Sequence, residues 1–181
     1  MEITIQQEGE KMLKVLRKGL NGLYLISSIL AACFLIAILT LIVVQMVARW
    51  TGEIFPGAPE YAGYSMAAAS FLAFASALNH GSHIRVSILL NAVPARISWL
   101  LNLWCFTIAS MVGWYVSYYA WRFTYWSWKF NDISQGQDAT LLWIPQSTMV
   151  IGSIILAIAL TDNLISLLFT GRDRIHSTSI E

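Results

Sequence analysis

Two histidines and two arginines stand close together in a short polar stretch of this chain, residues 79–96. His80 and His83 are three residues apart, and Arg85 and Arg96 follow them. Histidines at that spacing share one face of a helix and could ligate haem. A haem-binding bundle, however, holds its axial histidines inside facing spans. Since these two lie at the boundary of an apolar run, interfacial hydrogen bonding is the favoured role.

Asp162 is the one acid that lies well inside an apolar run. An acid at that depth in a membrane is by default a functional candidate. A proton or ion pathway would need several such acids, so we favour a structural ion pair with a base such as Arg17, Lys18 or Arg85. Gln45, near the end of the first apolar run, is predicted to form a hydrogen bond between helices.

The two cysteines form neither a redox nor a metal motif. Cys33 and Cys105 lie in separate apolar runs, without CxxC or zinc spacing. Such cysteines usually pack as small hydrophobic residues. The sequence also has no Ser-His-Asp set, phosphate-binding loop or paired carboxylates within a span, so no catalytic site is predicted.

Composition places the chain among membrane proteins. Of its 181 residues, 57% are hydrophobic and 12% are charged, and the mean hydropathy is +0.61. Soluble domains carry about 25% charged residues. The net charge of +1 gives no support to a nucleic-acid partner.

Four apolar runs are long enough to cross the ~30 Å hydrocarbon core, which needs about 20 helical residues. They cover residues 20–47, 60–78, 97–119 with a continuation to about 128, and 144–170. The first run would form a helix ~42 Å long, so it must tilt or enter the headgroups. The predicted fold is an all-α integral membrane protein with four transmembrane helices, forming a single membrane domain over residues 1–181.

Two further helices are predicted at the membrane surface. Residues 1–19 are polar, but Met12, Leu13, Leu16 and Leu20 recur at helical spacing, which indicates a short amphipathic helix. The connector 79–96 has too few apolar residues to span and suits a short interfacial helix between the second and third spans.

The second span carries one stripe of small residues, which recur every four positions: Ser65, Ala69, Ala73 and Ala77. Helices associate in lipid by close backbone approach, which small residues permit. The stripe is therefore predicted to be a helix-packing face.

The basic residues predict the orientation. Four lie in the N-terminal arm, two in the connector and two in the C-terminal tail, whereas Arg49, Arg122 and Lys129 lie on the other side. By the positive-inside rule, both termini and the connector are cytoplasmic.

The connector also carries the most family-specific string in the chain. Gly-Ser-His-Ile-Arg-Val occupies residues 81–86, followed by Leu89-Leu90 and by Pro-Ala-Arg at residues 94–96. Together with Glu60 before the second span and Trp-Ile-Pro-Gln at residues 143–146, these features resemble the small membrane subunit of tripartite ATP-independent periplasmic (TRAP) transporters, the DctQ-like family. Ser87 departs from the family pattern, since many members carry an acid there.

The resemblance implies a transport function in the bacterial inner membrane and no enzymatic activity. Such a subunit binds a large multi-span membrane subunit that carries substrate and sodium, and it needs no cofactor of its own. Together they receive a small organic acid, of the sialic acid or dicarboxylate class, from a periplasmic substrate-binding protein. The residues expected to contribute to docking of that protein are Arg49, Glu53, Glu60, Arg122, Lys129, Asp132 and Asp138.

Two other classes of function compete with this interpretation. One is a haem-bearing or other membrane anchor subunit of an electron-transfer complex, which would show a haem absorption band. The other is an independent small exporter, which would transport alone and would need a coupling acid deeper than Asp162.

Overall fold

The computed structural model contains four helices within the residues that it describes. Those residues are 2–53, 56–79, 95–136 and 139–170, with side chains for 17–53, 56–78, 97–136 and 139–168. Helix α1 covers Glu2–Thr51, α2 covers Ala58–Asn79, α3 covers Ala95–Phe130 and α4 covers Trp143–Thr170. Each contains a stretch long and apolar enough to cross a membrane. The prediction of an all-helical membrane protein with four spans is confirmed.

The polar N-terminal segment belongs to the same helix as the first span. α1 runs without a break from Glu2 to Thr51, so no turn separates residues 2–19 from the span that follows. The expectation of a distinct short helix there is replaced by one long helix, while its position on the membrane surface stays a prediction. The interfacial helix expected in the connector 79–96 stays a prediction, because residues 80–94 lie outside the described residues.

Helices α1 and α3 end in the same way, with a residue in the left-handed region. Gly52 has φ +82°, and the amide of Glu53 bonds the carbonyl of Ala48 at 3.0 Å. After α3, Asn131 has φ +51°, and the amide of Asp132 bonds the carbonyl of Ser127 at 3.0 Å. This is the Schellman arrangement, which satisfies carbonyls at a helix end and turns the chain out of the helix.

The four helices pack in a row. α1 packs against α2, α2 against α4, and α4 against α3, whereas α1 meets α4 only marginally. α4 therefore lies between α2 and α3, and 50% of its most apolar stretch is buried, against 11% for α1 and 17% for α3. The two end helices of the row each keep a wide apolar face exposed.

Small residues bring the backbones of neighbouring helices close together. A Cβ added at Gly152 of α4 would lie 2.6–2.7 Å from the backbone and Cβ of Phe71 in α2. A Cβ added at Gly113 of α3 would lie 3.4 Å from the Cα of Ala157 in α4. Without water to expel, membrane helices gain attraction through such close contact.

The core draws on all four helices and is rich in alanine and serine. Ser27 of α1 is 1% exposed and donates a hydrogen bond to the carbonyl of Leu72 in α2. The buried hydrophobic cluster around it consists of Tyr24, Ala31, Leu72, Ala75, Leu78, Phe106, Ile155, Ala159, Leu160 and Leu167.

Candidate functional site

The polar and charged residues predicted for partner docking collect at one end of the row of helices. This end, called the loop end below, holds the turn 52–57 between α1 and α2 and the loop 131–142 between α3 and α4. The loop 131–142 contacts the start of α2, so both connections lie side by side.

The loop 131–142 folds back on itself. Ile133 and Leu141 form an antiparallel bridge, and the amide of Ser134 donates to the carbonyl of Thr140 at 2.8 Å. The amide of Leu142 donates to the carbonyl of Asp132 at 3.0 Å. These bonds join residues 131–136 to residues 139–142, the described parts of the loop, and supply the backbone partners that an irregular segment otherwise lacks.

Two tyrosines of α2 hold this loop against the helix row. The hydroxyl of Tyr64 donates to Ser134 Oγ at 2.8 Å, and that oxygen also accepts the amide of Gly136 at 3.2 Å. Thr140 Oγ1 donates to the hydroxyl of Tyr61 at 3.4 Å. The two tyrosine rings meet edge to face with centroids 6.4 Å apart. The loop is therefore bonded to the first two turns of α2 at two separate points.

Glu60 completes this contact from the first turn of α2. Its side chain lies over Gly136, where an added Cβ would come within 2.5 Å of Glu60 Oε1. A larger residue at position 136 would therefore displace the Glu60 side chain. A negative charge in the first turn also interacts favourably with the helix dipole, and the docking role of Glu60 stays a prediction.

Aromatic side chains surround the end of α3. Trp126 and Phe130 stack with centroids 5.5 Å apart, and Lys129 Nζ lies 5.0 Å from the centre of the Trp126 ring. An apolar groove of about 340 Å³ opens beside them, lined by Trp121, Thr124, Tyr125, Trp128 and Trp143. Tryptophan and tyrosine prefer the headgroup level, so the loop end lies at a membrane surface.

The remaining predicted docking residues that the structure describes are exposed at or near the loop end. Arg49 occupies the last turn of α1, where a cation interacts favourably with the helix dipole, and Glu53 follows in the turn. Arg122 and Lys129 lie on α3, and Asp132 lies in the loop. Asp138 lies outside the described residues. The arrangement is a mixed-charge surface formed by helix ends, a turn and a loop, which can orient an approaching charged partner.

The small-residue stripe of α2 lies partly inside the helix row. Ala69 is buried, and Ala73 is half-buried against the core. Ser65 and Ala77 are also half-buried. Their role as a packing face stays a prediction, because α2 also buries residues that fall outside the stripe, such as Ala75.

Polar side chains also meet within the membrane span, between α3 and α4. Thr161 Oγ1 lies 3.1 Å from Ser110 Oγ, accepts the Trp114 indole N–H at 3.1 Å and donates to the carbonyl of Ala157 at 2.7 Å. The neighbouring Asp162 is half-buried. Its pairing with a cytoplasmic base stays a prediction, as does the helix-contact hydrogen bond of the half-buried Gln45 on α1.

Three of the four connector residues predicted at the membrane interface lie outside the described residues. His80, His83 and Arg85 lie outside the described residues, and Arg96 is described only as part of the first turn of α3. The interfacial role of these four residues stays a prediction.

Within the described residues, no group of three or more histidine, cysteine or acidic side chains could hold a metal ion. Cys33 and Cys105 are free thiols on different helices, and both are exposed on apolar faces.

The sequence did not predict the contacts that decide which helices are neighbours in the row. Gly113, Gly152 and Ser27 decide where three pairs of helices touch, and Tyr61 and Tyr64 hold the loop. The available signal was a glycine or serine inside an apolar run, which marks a close approach but does not say to which helix.

A protein-family comparison agrees with the layout of the helices. The family described as Tripartite ATP-independent periplasmic transporters, DctQ component, matches residues 38–170. The matched segment begins within α1 and ends with the last residue of α4, so it includes both connections at the loop end. No curated protein matches the sequence.

Proposed function

The chain belongs to the DctQ component family of TRAP transporters, the small membrane component of these systems, and from this we propose that it braces a large transport subunit and helps a periplasmic binding protein to dock. The observation that carries the proposal is the family match over residues 38–170, which includes the residues that join the loop 131–142 to the start of α2. The large subunit carries the substrate and the coupling sodium ion.

The bracing role is supported by the chemistry of the spans. Glu60 and Asp162 are the only acids in the four predicted spans, and Glu60 lies at the very start of α2 against Gly136. A proton or ion pathway through the membrane would need several acids within the spans. A subunit with two acids, one of them at the very start of a helix, is suited to packing, and substrate and sodium then bind to its partner. The cargo is a small organic acid, of the sialic acid or dicarboxylate class.

The docking role is supported by the hydrogen bonds and the charge of the loop end. Exposed Lys129 and Asp132 flank a turn whose backbone is fixed, and the loop beyond is bonded to Tyr61 and Tyr64. Charges on a rigid surface steer a transient encounter and set its on-rate more than its final affinity. The loop end then faces the periplasm, and both termini lie in the cytoplasm.

Exchange of the two charges tests the docking role. Lys129→Glu combined with Asp132→Lys keeps the net charge but reverses the local field, so uptake that depends on the binding protein should fall. The loss should grow at low salt, because exposed charges are screened over ~8 Å at physiological ionic strength. The neutral pair Lys129→Gln and Asp132→Asn should give an intermediate loss. Wild-type uptake at low salt, with normal amounts of the subunit in the membrane, would assign docking to the large subunit alone.

The orientation is tested by labelling single cysteines with a reagent that does not cross membranes. A cysteine at position 135 on a cysteine-free background should be labelled from outside intact spheroplasts, whereas one at position 82 should be labelled only after permeabilisation. Labelling of position 82 from outside would reverse the proposed orientation.

A further inference from the structure

One face of α3 carries a line of large exposed side chains that point away from α4. The line is called the α3 outer stripe, and its members recur every three or four positions: Trp104, Ile108, Met111, Tyr115, Tyr118 and Arg122. The five hydrophobic and aromatic members are 41–69% exposed. The buried residues of α3 include Phe106, Ser110 and Ser117, which lie on the opposite side of the helix.

The exposed face of α1, at the other end of the row, has different chemistry. Between residues 25 and 47 it presents only aliphatic side chains and one methionine as large exposed hydrophobic residues. Leu25, Ile36 and Leu39 are typical, each about as exposed as Tyr115. Aliphatic side chains suit contact with lipid chains and need no polar partner. α1 therefore has the composition of a lipid-facing helix, and α3 does not.

The depth of Tyr115 in the membrane makes the difference in side chains between α1 and α3 significant. The span Ile97–Phe130 has 34 residues, so it is ~51 Å long at 1.5 Å per residue. Tyr115 lies ~27 Å from Ile97 and ~23 Å from Phe130 along the axis. A ~30 Å hydrocarbon layer placed anywhere within this helix therefore includes Tyr115. Tilting the helix shortens its projection on the membrane normal and keeps Tyr115 inside.

The phenol group of Tyr115 at this depth needs a hydrogen-bond acceptor. The ring centroids of Tyr115 and Tyr119 lie 4.5 Å apart, and Tyr118 packs edge to face on Tyr119 at 5.5 Å. Even a hydrogen bond between two of these phenols would leave one O–H donor to be satisfied elsewhere. Lipid chains offer no acceptor, and polar groups left unsatisfied in hydrocarbon are costly.

We propose that the α3 outer stripe is the surface on which the large membrane subunit packs, and that the exposed face of α1 contacts lipid. This inference rests on the proposed function, because it names the face through which the subunit braces its partner. The large subunit presents hydrogen-bond acceptors opposite Tyr115 and Tyr118, apolar pockets for Trp104 and Met111, and an acidic or carbonyl group opposite Arg122. Tryptophan, tyrosine, methionine and arginine are the residue types that protein interfaces enrich.

Charge argues against a second copy of this chain as the occupant. Two copies inserted with the same orientation are related by a twofold axis along the membrane normal, so equivalent residues meet at the same depth. Contact between the α3 outer stripes of two copies would place Arg122 against Arg122, and the two positive charges would repel each other. An acceptor group on a different chain removes that conflict and bonds the guanidinium. On this assignment Arg122 contacts the large subunit rather than the binding protein.

Photo-crosslinking in native membranes tests the assignment. A benzophenone amino acid is placed at Met111 or Tyr118 on α3, and at Ile36 or Leu39 on α1, in an affinity-tagged subunit of the intact transporter. Irradiation should link the two α3 positions to the large subunit and the two α1 positions to lipid. A crosslink to the large subunit only from α1, or from neither helix while the large subunit still co-purifies, would overturn the assignment and leave the proposed function intact. A dimer of this chain linked through α3 would also overturn it.

A pair of substitutions gives an independent measurement. Tyr115→Leu with Tyr118→Leu makes α3 more apolar, so insertion into the membrane is preserved. The large subunit recovered with the tagged protein should fall about tenfold, from two lost hydrogen bonds and their aromatic packing. Ile36→Ala with Leu39→Ala on α1 is the matched control and should change recovery less than twofold. Equal recovery of the large subunit with both pairs would overturn the assignment. If the unmodified protein recovers no large subunit, the proposed function itself is overturned.

Discussion

Gly152 is the position where a single methyl group should most disturb the helix row. Its α4 backbone lies so close to α2 that a Cβ would come within 2.6 Å of the carbonyl carbon of Phe71 and within 2.7 Å of its oxygen. Real Cβ contacts do not occur at such distances, and the atoms in the way are main-chain atoms that cannot rotate aside. Gly152→Ala must therefore push α2 and α4 apart.

The expected magnitude follows from two opposing effects. Overpacking in tightly packed proteins costs about 1–3 kcal/mol. Replacing glycine by alanine within a helix favours folding by roughly 0.5–1 kcal/mol. Gly63→Ala on α2 isolates the second effect, because nothing lies within 4 Å of a Cβ there. The free energies of unfolding of the two variants should therefore differ by about 1–3 kcal/mol, which is the packing cost alone.

Gly113→Ala should fall between these two variants. Its Cβ would lie 3.1 Å from Leu160 Cδ1, which is the end of a side chain and can move, and 3.4 Å from the Cα of Ala157. Unfolding of the purified protein in mixed micelles of mild detergent and dodecyl sulfate, followed by circular dichroism, measures all three variants. Equal stability of Gly152→Ala and Gly63→Ala would refute the close approach of α2 and α4.

Three other substitutions probe the remaining contacts. Ala73 is half-buried against the core, so Ala73→Leu should lower the free energy of unfolding by about 1–3 kcal/mol in the same assay. Ala67 is exposed on the same helix, so Ala67→Leu should change the free energy of unfolding little. Equal effects of the two substitutions would put Ala73 on a lipid-facing surface. Tyr64→Phe removes the 2.8 Å bond to Ser134, worth about 1 kcal/mol, so amide exchange at residues 134–136 should become roughly fivefold faster while Tyr125→Phe leaves it unchanged. Ser27→Ala deletes the bond to the Leu72 carbonyl and should cost about 0.6 kcal/mol, the average for such bonds in a membrane protein; a loss above 2 kcal/mol would indicate a larger role for the Ser27 hydroxyl.

The spans could be predicted because a membrane imposes one simple requirement on sequence. A helix that crosses ~30 Å of hydrocarbon needs a long apolar run, and four such runs are visible. Proline at position 145 indicates a helix start, and α4 does begin two residues earlier at Trp143. Residues 121–128 continue the helical pattern beyond the third run, and α3 extends to Phe130.

The order of the helices in the row could not be predicted for a reason that is also physical. In lipid, a face that packs on another helix and a face that contacts acyl chains are both apolar, so periodicity does not tell them apart. Ala75 is fully buried and Ala67 is exposed, on the same helix and with the same side chain. The loop contacts of Tyr61 and Tyr64 join residues 70 or more positions apart, and no local pattern encodes such a pairing.

The central claim is that this chain works as a brace for a larger transport subunit, and purification from its native membrane tests that most directly. The tagged protein, extracted in a mild detergent and analysed by mass spectrometry, should carry one larger multi-span membrane protein in near-equal amount. The tagged Gly152→Ala variant should recover less of that partner than Gly63→Ala does. Recovery of the subunit alone, or together with a haem protein, would contradict the account.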